Sequence, residues 1–311
     1  MLLYNQLIIF VKSIINISEL TMLQNKSIYG FSKLTYTLIV LLFLQGSFAL
    51  CQKNLGINPK TQAEIYFKDG ENYFKKKDFE KAIGEFTKAI NIEPNFTEAY
   101  LNRGVILAEL GDFEKALSDF NKAIELKPQS SEAFNLRGTA YVEMKDFQKA
   151  IEDFNQAINI KNDYADAYFN RGYSKFEMKQ FEDALKDFDL AVKNNPKFTE
   201  AFNRRGLAKA ELKDYNSAIM DFNKSLELNP KQANAYNNRA NAKVKLNKHQ
   251  EALKDFNKAI ELNPKLGTAY YNRGVAKLNL QDPRGACNDW EEALKLGLKQ
   301  ANELLGKYCG K

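Results

Sequence analysis

The residues best suited to chemistry in this sequence are arginines that recur every 34 residues, together with a row of acids of the same period. Guanidinium groups at a fixed spacing could hold the phosphates or carboxylates of a ligand. Each could instead form a two-pronged ion pair with a nearby carboxylate of the chain itself. The arginines are Arg103, Arg137, Arg171, Arg205, Arg239 and Arg273, and the acids are Glu85, Asp119, Asp153, Asp187, Asp221, Asp255 and Asp289.

The ends of the two rows favour pairing between consecutive repeats. The first repeat has Asp69 in place of arginine, so pairing within a repeat would place Asp69 against Glu85. Pairing each acid with the arginine of the following repeat avoids this contact and leaves Asp289 to meet Lys307. We therefore predict an ion-pair ladder that joins Glu85–Arg103, Asp119–Arg137, Asp153–Arg171, Asp187–Arg205, Asp221–Arg239 and Asp255–Arg273, and we expect no nucleic-acid binding by these arginines.

Other residue sets that support catalysis or metal binding do not occur in the sequence. It has no G-x-x-x-x-G-K phosphate loop and no G-x-S-x-G elbow. Its only histidine is His249, which rules out a metal site built on several histidines and argues against a histidine-based catalytic triad. The three cysteines form no C-x-x-C pair, which excludes a zinc centre built on cysteines. The sequence predicts a protein that is not an enzyme and has no cofactor, bound metal or small-molecule substrate.

The charge of the chain also argues against nucleic acid as the partner. Its 45 Lys and Arg residues against 39 Asp and Glu residues give a net charge of +6, and the basic residues are spread along the chain. A nucleic-acid-binding surface requires a basic patch or stripe. We therefore expect a protein or peptide partner.

The 34-residue period divides most of the chain into seven units, whose residues we number as positions 1 to 34. Position 8 is small, position 20 is always Ala, and positions 4 and 24 are aromatic. Apolar residues at three- and four-residue spacing predict two amphipathic helices per unit, with a tight turn such as Leu110-Gly111-Asp112 between them. We expect Gly104 to face Ala116 where the two helices approach. The units are 63–96, 97–130, 131–164, 165–198, 199–232, 233–266 and 267–300.

This pattern of small and aromatic residues, with a proline closing most units, resembles the tetratricopeptide repeat family in its exported bacterial form. The resemblance covers about residues 63–300, and the sequence departs from it at position 7, where the family usually has Leu. It implies an all-α fold: an α-solenoid of seven helix-turn-helix units in a right-handed superhelix, with a concave groove and a C-terminal capping helix.

In the family the groove is lined by the first helix of each unit. Here that helix carries asparagines at position 6 and glutamates at position 13, near a helix end where acids are disfavoured. An acidic groove of this kind favours a basic or polar segment. The chaperone-binding carboxylate clamp of the family is missing, because Phe67 and Glu71 occupy its positions. The predicted groove residues are Asn102, Glu109, Glu143, Asn170, Tyr173, Glu177, Arg204, Glu211, Asn238 and Asn272.

Two functions fit this interpretation. The first is a non-enzymatic adaptor that binds an extended peptide segment in the concave groove. The alternative is a structural or assembly subunit of a cell-envelope complex that uses the convex face or the ends of the array.

Two cysteines lie near the predicted end of the array. Cys287 belongs to the last unit, and Cys309 belongs to a closing helix over residues 299–309, with 301–311 as the end of the cap. Antiparallel packing across the turn at Gly297 brings the two cysteines level. We predict a Cys287–Cys309 disulfide if the protein resides in an oxidising compartment.

The N-terminal residues have the order of a secretory signal. An apolar run over residues 35–50 follows Lys26 and Lys33 and ends in Ser47-Phe48-Ala49, which favours cleavage after Ala49. We expect residues 1–21 to be a non-structural extension, with Met22 a possible true start, residues 22–51 to be a signal peptide, and residues 52–62 to be a linker. The repeats would then be periplasmic or extracellular. The alternative is an uncleaved membrane anchor with the repeats outside the cytoplasm.

Overall fold

The computed structural model describes residues 58–310, and within that range it contains fifteen α-helices and no β-strand. The helices are α1 Pro59–Lys75, α2 Phe79–Ile92, α3 Thr97–Glu109, α4 Phe113–Leu126, α5 Ser131–Glu143, α6 Phe147–Ile160, α7 Ala165–Glu177, α8 Phe181–Asn194, α9 Thr199–Glu211, α10 Tyr215–Leu228, α11 Ala233–Lys245, α12 His249–Leu262, α13 Gly267–Asn279, α14 Pro283–Lys295 and α15 Ala301–Cys309.

Helices α1 to α14 form one hairpin per predicted unit, and α15 closes the array. From α2 onward each helix packs on the next one along the chain, and the odd-numbered helices from α3 to α13 also contact the next odd-numbered helix. This all-α solenoid confirms the predicted fold class. Helix α1 begins at Pro59, so it extends into the segment that we expected to be a linker.

The two helices of each hairpin meet where the aromatic ring at position 24 covers the small residue at position 8. Phe120 is 1% exposed, and a Cβ atom added to Gly104 would lie 2.7 Å from its ring carbon Cε1. Phe86, Phe154, Phe188, Phe222 and Trp290 cover the glycines of their own units in the same way. The atoms nearest to Gly104 in this contact belong to the Phe120 ring, and Ala116 is fully buried in the same cluster.

The turn inside each hairpin needs one residue with a positive φ angle, at position 15. Gly111 has φ +82° there, and the backbone N–H of Asp112 donates to the carbonyl of Leu107 at 2.8 Å, which closes helix α3 in a Schellman motif. The other six hairpins have side-chain-bearing residues in this conformation, namely Lys77, Lys145, Lys179, Lys213, Asn247 and Gln281.

The residue after that turn starts the second helix of the hairpin. The Asp112 carboxylate accepts a hydrogen bond from the backbone N–H of Lys115, which satisfies a free donor at the start of α4. Its hydrogen bonds with Lys115 hold the pKa of Asp112 below its usual value. Gln180 and Lys248 occupy this position before α8 and α12 and make no such side-chain cap.

The core consists of clusters that bridge neighbouring hairpins. Phe86 and Ala89 of the first hairpin pack with Ala99 and Ile106 of the second, and all four are fully buried. Each hairpin therefore buries part of its apolar surface only against the next one, as in other stacked-repeat proteins.

The last hairpin is covered by α15. Leu305 of α15 packs against Trp290, whose indole N–H donates to the carbonyl of Tyr271 at 3.1 Å. Cys287 of α14 and Cys309 of α15 form a disulfide, with their Cα atoms 5.9 Å apart. This pairing is the one that antiparallel packing predicts.

The expected extension over residues 1–21, the signal or anchor over 22–51 and the first part of the linker lie outside the described residues. Within residues 58–310, no helix combines the length and the apolar composition needed to cross a lipid bilayer.

The turn geometry yields a first prediction, based on two Gly→Ala substitutions of opposite effect. Gly111→Ala should lower the free energy of unfolding by about 1 kcal/mol, because an L-residue is strained at positive φ. Gly84→Ala should raise it by about 0.5–1 kcal/mol, because Gly84 lies inside α2 with open space around its Cα. Urea denaturation followed by circular dichroism measures both effects. Shifts of the same sign would contradict the assigned turn.

Candidate functional site

Each arginine at position 7 binds the acid at position 23 of its own unit through a two-pronged ion pair. Arg239 donates from Nε and Nη2 to the two carboxylate oxygens of Asp255, at 2.9 and 2.6 Å. The Asp255 residue is 5% exposed, and the other five aspartates at this position are equally buried. The same pair occurs in Arg103–Asp119, Arg137–Asp153, Arg171–Asp187, Arg205–Asp221 and Arg273–Asp289.

The predicted ladder between consecutive units was therefore wrong in its partners. The arginines do link neighbouring units, but through Nη1 and a different residue, the one at position 25 of the preceding unit. Arg239, for example, donates from Nη1 to the amide oxygen of Asn223 at 2.7 Å. The corresponding acceptors of Arg103, Arg137, Arg171, Arg205 and Arg273 are Thr87, Asn121, Asn155, Asp189 and Asn257.

The predicted partners of the arginines were inferred from the two ends of the array, and neither end follows the ion-pair pattern of the internal units. Asp69 is exposed and Glu85 pairs with Lys88 at 2.7 Å, so the two acids of the first unit do not have to meet. At the other end, Asp289 is bound by Arg273 and Lys277 rather than by Lys307.

A lysine at position 11 adds a second cation to the acid in the last four units. Lys175, Lys209, Lys243 and Lys277 lie 2.7–2.8 Å from the aspartates of their own units. The third unit has Tyr141 there, and burial raises the pKa of Asp153, an effect that Arg137 only partly offsets. The guanidinium groups of the arginines at position 7 are thus engaged in packing and ion pairing inside the array.

The asparagines expected to contact a partner are also used for stacking in three of the four cases. Asn170 donates to the amide oxygen of Asn135 in the preceding unit at 3.1 Å. Asn238 and Asn272 make the same bond to Asn203 and Asn237. Asn102 follows a unit with Phe67 at that position and is half-buried. In these three units the side-chain amide of the asparagine thus joins neighbouring first helices, and contact of this row with a partner stays a prediction.

The glutamates at position 13 remain exposed. Glu109, Glu143, Glu177 and Glu211 are each the last residue of a first helix, where the helix dipole disfavours an acid. Within the described part of the chain, the ion pairs involve none of these four carboxylates. The next residue is an exposed apolar side chain in three units, namely Leu110, Met144 and Met178, with exposures of 56%, 45% and 38%.

A cavity of about 420 Å³ opens between the second and third hairpins, beside two of these glutamates. Val105 and Phe113 line it from the second unit, and Leu136 lines it from the third. Glu109 and Glu143 belong to the same lining. The cavity is therefore an apolar depression bordered by carboxylates, with room for an apolar side chain of a partner.

Tyr173 lies on the first helix of the fourth unit and Arg204 on that of the fifth. The guanidinium of Arg204 stands over the Tyr173 ring at 4.9 Å from its centroid and pairs with Glu200 at 3.0 Å. Burial raises the pKa of the Tyr173 hydroxyl, and the carboxylates of Glu177 and Glu143 raise it further. The structure thus brings together Glu143, Tyr173, Glu177 and Arg204 of the predicted groove residues.

Comparison with protein families gives a decisive result for this arrangement. The tetratricopeptide repeat model matches residues 97–130, 165–198, 199–232 and 233–266. A related TPR repeat model matches residues 70–111 and 138–179, so that the two models together cover more than half of the chain. The chain belongs to the tetratricopeptide repeat family. No curated protein sequence matches it.

Solved structures of tetratricopeptide repeat (TPR) proteins agree with this assignment. A TPR protein from Parabacteroides merdae is 22% identical, with a TM-score of 0.61 over 79% of this chain and 98% of that chain. PilF of Pseudomonas aeruginosa is 20% identical, with a TM-score of 0.61 over 68% of this chain and 97% of that chain. YrrB, described as a TPR protein with an unusual peptide-binding site, is 27% identical, with a TM-score of 0.50 over 59% of this chain and 95% of that chain.

A TPR array is a protein–protein interaction scaffold, and this chain has that fold throughout the matched residues. Sequence reasoning missed the cavity between the second and third hairpins. The signal for it was Leu136, which stands at position 6 where four units have asparagine.

The ion pairs lead to a second prediction, on the partner of Arg171. Asp187→Ala should lower the free energy of unfolding by about 3–5 kcal/mol, because it leaves Arg171 and Lys175 half-buried without their acid. In double-mutant cycles with Arg171→Met, Asp187 should show a coupling energy of about 1–3 kcal/mol and Asp153 nearly none. Urea denaturation of each set supplies the values. A larger coupling of Arg171 to Asp153 would restore the ladder between units.

Proposed function

We propose that this TPR protein is an adaptor that captures an extended, basic segment of another protein along the row of Glu109, Glu143, Glu177 and Glu211. The observation that carries the proposal is the position of these glutamates, each exposed and each the last residue of its helix. An acid at a helix C-terminus costs about 0.3–1 kcal/mol. A row of four such acids, without ion-pair partners in the described chain, suits recognition better than folding.

The surroundings of the row supply apolar contacts. Leu110, Met144 and Met178 stand exposed next to the first three glutamates, and the cavity lined by Val105 and Leu136 opens beside them. Methionine side chains adapt their shape to different apolar surfaces. A partner with both basic and apolar residues therefore fits this face better than a purely charged one.

The spacing of the first helices favours an extended partner. The bond between Asn170 and Asn135 shows that consecutive first helices are in direct contact. Packed helices lie about 8–10 Å apart, and a chain in the extended polyproline II conformation advances about 3.1 Å per residue and repeats its side-chain direction every third residue. A segment with a basic residue about every third position would meet one glutamate per unit.

The likeness to YrrB supports peptide binding as the use of this fold, since that protein is described as having a peptide-binding site. The alternative is a structural subunit of an envelope complex that uses the opposite face. Met220 on α10 favours this alternative, since it is 70% exposed.

We further propose that the protein is exported, to the periplasm or the cell exterior, or anchored in a membrane with the repeats outside the cytoplasm. The apolar run over residues 35–50 and the Cys287–Cys309 disulfide support export, because structural disulfides persist in oxidising compartments.

Charge reversal in the groove tests the adaptor function. Glu143→Lys combined with Glu177→Lys should weaken binding of a fluorescein-labelled extended peptide, with Lys about every third position and Leu and Ser between, by about tenfold or more. The reason is that two attractive contacts become repulsive. Fluorescence anisotropy at low and moderate salt measures the affinity.

Glu152→Lys on α6 is the matched control, because Glu152 is exposed on a second helix away from the row. It should leave the affinity unchanged. Equal affinities of the groove double variant and the wild-type protein would contradict the adaptor proposal and favour the alternative.

Intact mass and thiol alkylation test whether the protein is exported. Expression in a bacterial host and intact-mass analysis should show loss of the segment up to Ala49, and alkylation without reductant should leave Cys287 and Cys309 unmodified. Reduction should expose both thiols. An intact N-terminus, with the protein in the membrane fraction and its repeats outside the cytoplasm, would identify the anchored form. A cytoplasmic protein in which Cys287 and Cys309 are both free would contradict export.

A further inference from the structure

Tyr173 is an exception among the residues at position 9 of the first helices. The other six units have no aromatic side chain there, and their residues are Glu71, Val105, Thr139, Leu207, Asn241 and Val275. Tyr173 is only half-buried, so part of its surface is accessible. An aromatic face beside carboxylates is a favourable environment for a cation.

The structure already places a cation on this ring. Arg204 stands 4.9 Å from the ring centroid, and its other contact is a single ion pair with Glu200, one turn earlier on the same helix. The side chains of this pair are 30% and 45% exposed. Ion pairs of this exposed kind contribute little to stability.

The neighbouring Arg205 shows how a permanently fixed arginine differs. It makes a two-pronged pair with Asp221, a side chain only 5% exposed, and a further pair with Asp189. Arg204 has neither the second prong nor the buried acid. Its contacts are therefore weak enough to be exchanged for others.

The local charges leave room for an additional cation. Glu143 and Glu177 both act electrostatically on Tyr173, and Glu200 holds Arg204. Of these three carboxylates, Glu200 has Arg204 as its ion-pair partner, and no ion pair in the described part of the chain involves Glu143 or Glu177. One more positive charge would bring the cluster closer to neutrality.

We propose that Tyr173, Glu143 and Glu177 form a recognition site for one guanidinium or ammonium group of the captured segment, and that Arg204 is a built-in occupant displaced when the segment binds. The inference rests on the proposed adaptor function and deepens it by naming one contact. The displaced Arg204 retains Glu200 as its partner. The incoming cation takes the ring face and the two glutamates.

The position of the site also defines a spacing. Glu143 borders both the apolar cavity and the Tyr173 site, which therefore belong to adjacent units. With first helices about 8–10 Å apart, a segment in the extended polyproline II conformation places an apolar residue in the cavity and its Arg or Lys about three residues away on the same face.

The test uses the full-length protein and two labelled peptides, one with Leu and Arg three residues apart and one with that Arg replaced by Gln. Tyr173→Leu should weaken binding of the Arg peptide about five-fold, and Tyr173→Phe should retain it because the ring face is kept. Arg204→Gln should tighten binding about three- to five-fold, because the competing cation is removed. None of these variants should change the affinity for the Gln peptide.

Arg284→Gln is the control for loss of a positive charge, since Arg284 is exposed on α14. It should leave both affinities unchanged. Weaker binding by Arg204→Gln would overturn the inference, as it would show that Arg204 contacts the partner directly. Unchanged binding by Tyr173→Leu would also overturn it. Failure of the wild-type protein to bind either peptide would instead contradict the adaptor function itself.

Discussion

The structure depends first on the contact between the ring at position 24 and the small residue at position 8. A Cβ atom at Gly104 or Gly206 would lie 2.7 Å from the facing phenyl ring, which is closer than real side chains approach. The ring is fully buried by this contact, and it sets how near the two helices of a hairpin can come. Ala240 in the sixth unit shows that one methyl group is accommodated, with Phe256 still fully buried. Every other feature is arranged around this fixed hairpin.

The arginines at position 7 then convert separate hairpins into an array. One guanidinium reaches the aspartate of its own hairpin with two donors and the preceding unit with a third, as Arg239 does with Asp255 and Asn223. Lysine could not make this set of contacts, because it lacks the planar arrangement of donors. Each guanidinium also stands over the ring at position 4 of its own unit; for Arg239 and Tyr236 the distance is 5.3 Å. The residue that departs from the family pattern thus combines ion pairing, stacking and inter-unit contact.

The sequence predicted the hairpins and the closing helix, because these follow from local periodicity that seven copies repeat. It failed on the partners of the arginines. That choice was made from the ends of the array, where Asp69 and Lys307 depart from the internal pattern, whereas Arg103 pairs with Asp119 of its own hairpin. The hydrogen bonds between the side-chain amides of Asn170 and Asn135, and of Asn238 and Asn203, could not be predicted from the sequence for another reason. They join positions that hold asparagine in only some units, so the repeat pattern does not expose them.

Positions 5 and 7 and the asparagines at position 6 are used for stacking, which limits where a partner can be recognised. These side chains are held by neighbouring units, as Asn272 is by Asn237, so changing them would disturb the array. Position 13 lies at the end of each first helix and position 9 one turn before it, and both change in charge or size from unit to unit. An exposed glutamate at a helix C-terminus lowers stability slightly, yet four consecutive units from the second to the fifth retain one. The first and sixth units have Lys75 and Lys245 instead. The acidic row is thus confined to the middle of the array by the composition of one position, while the packing of the hairpins stays the same from end to end.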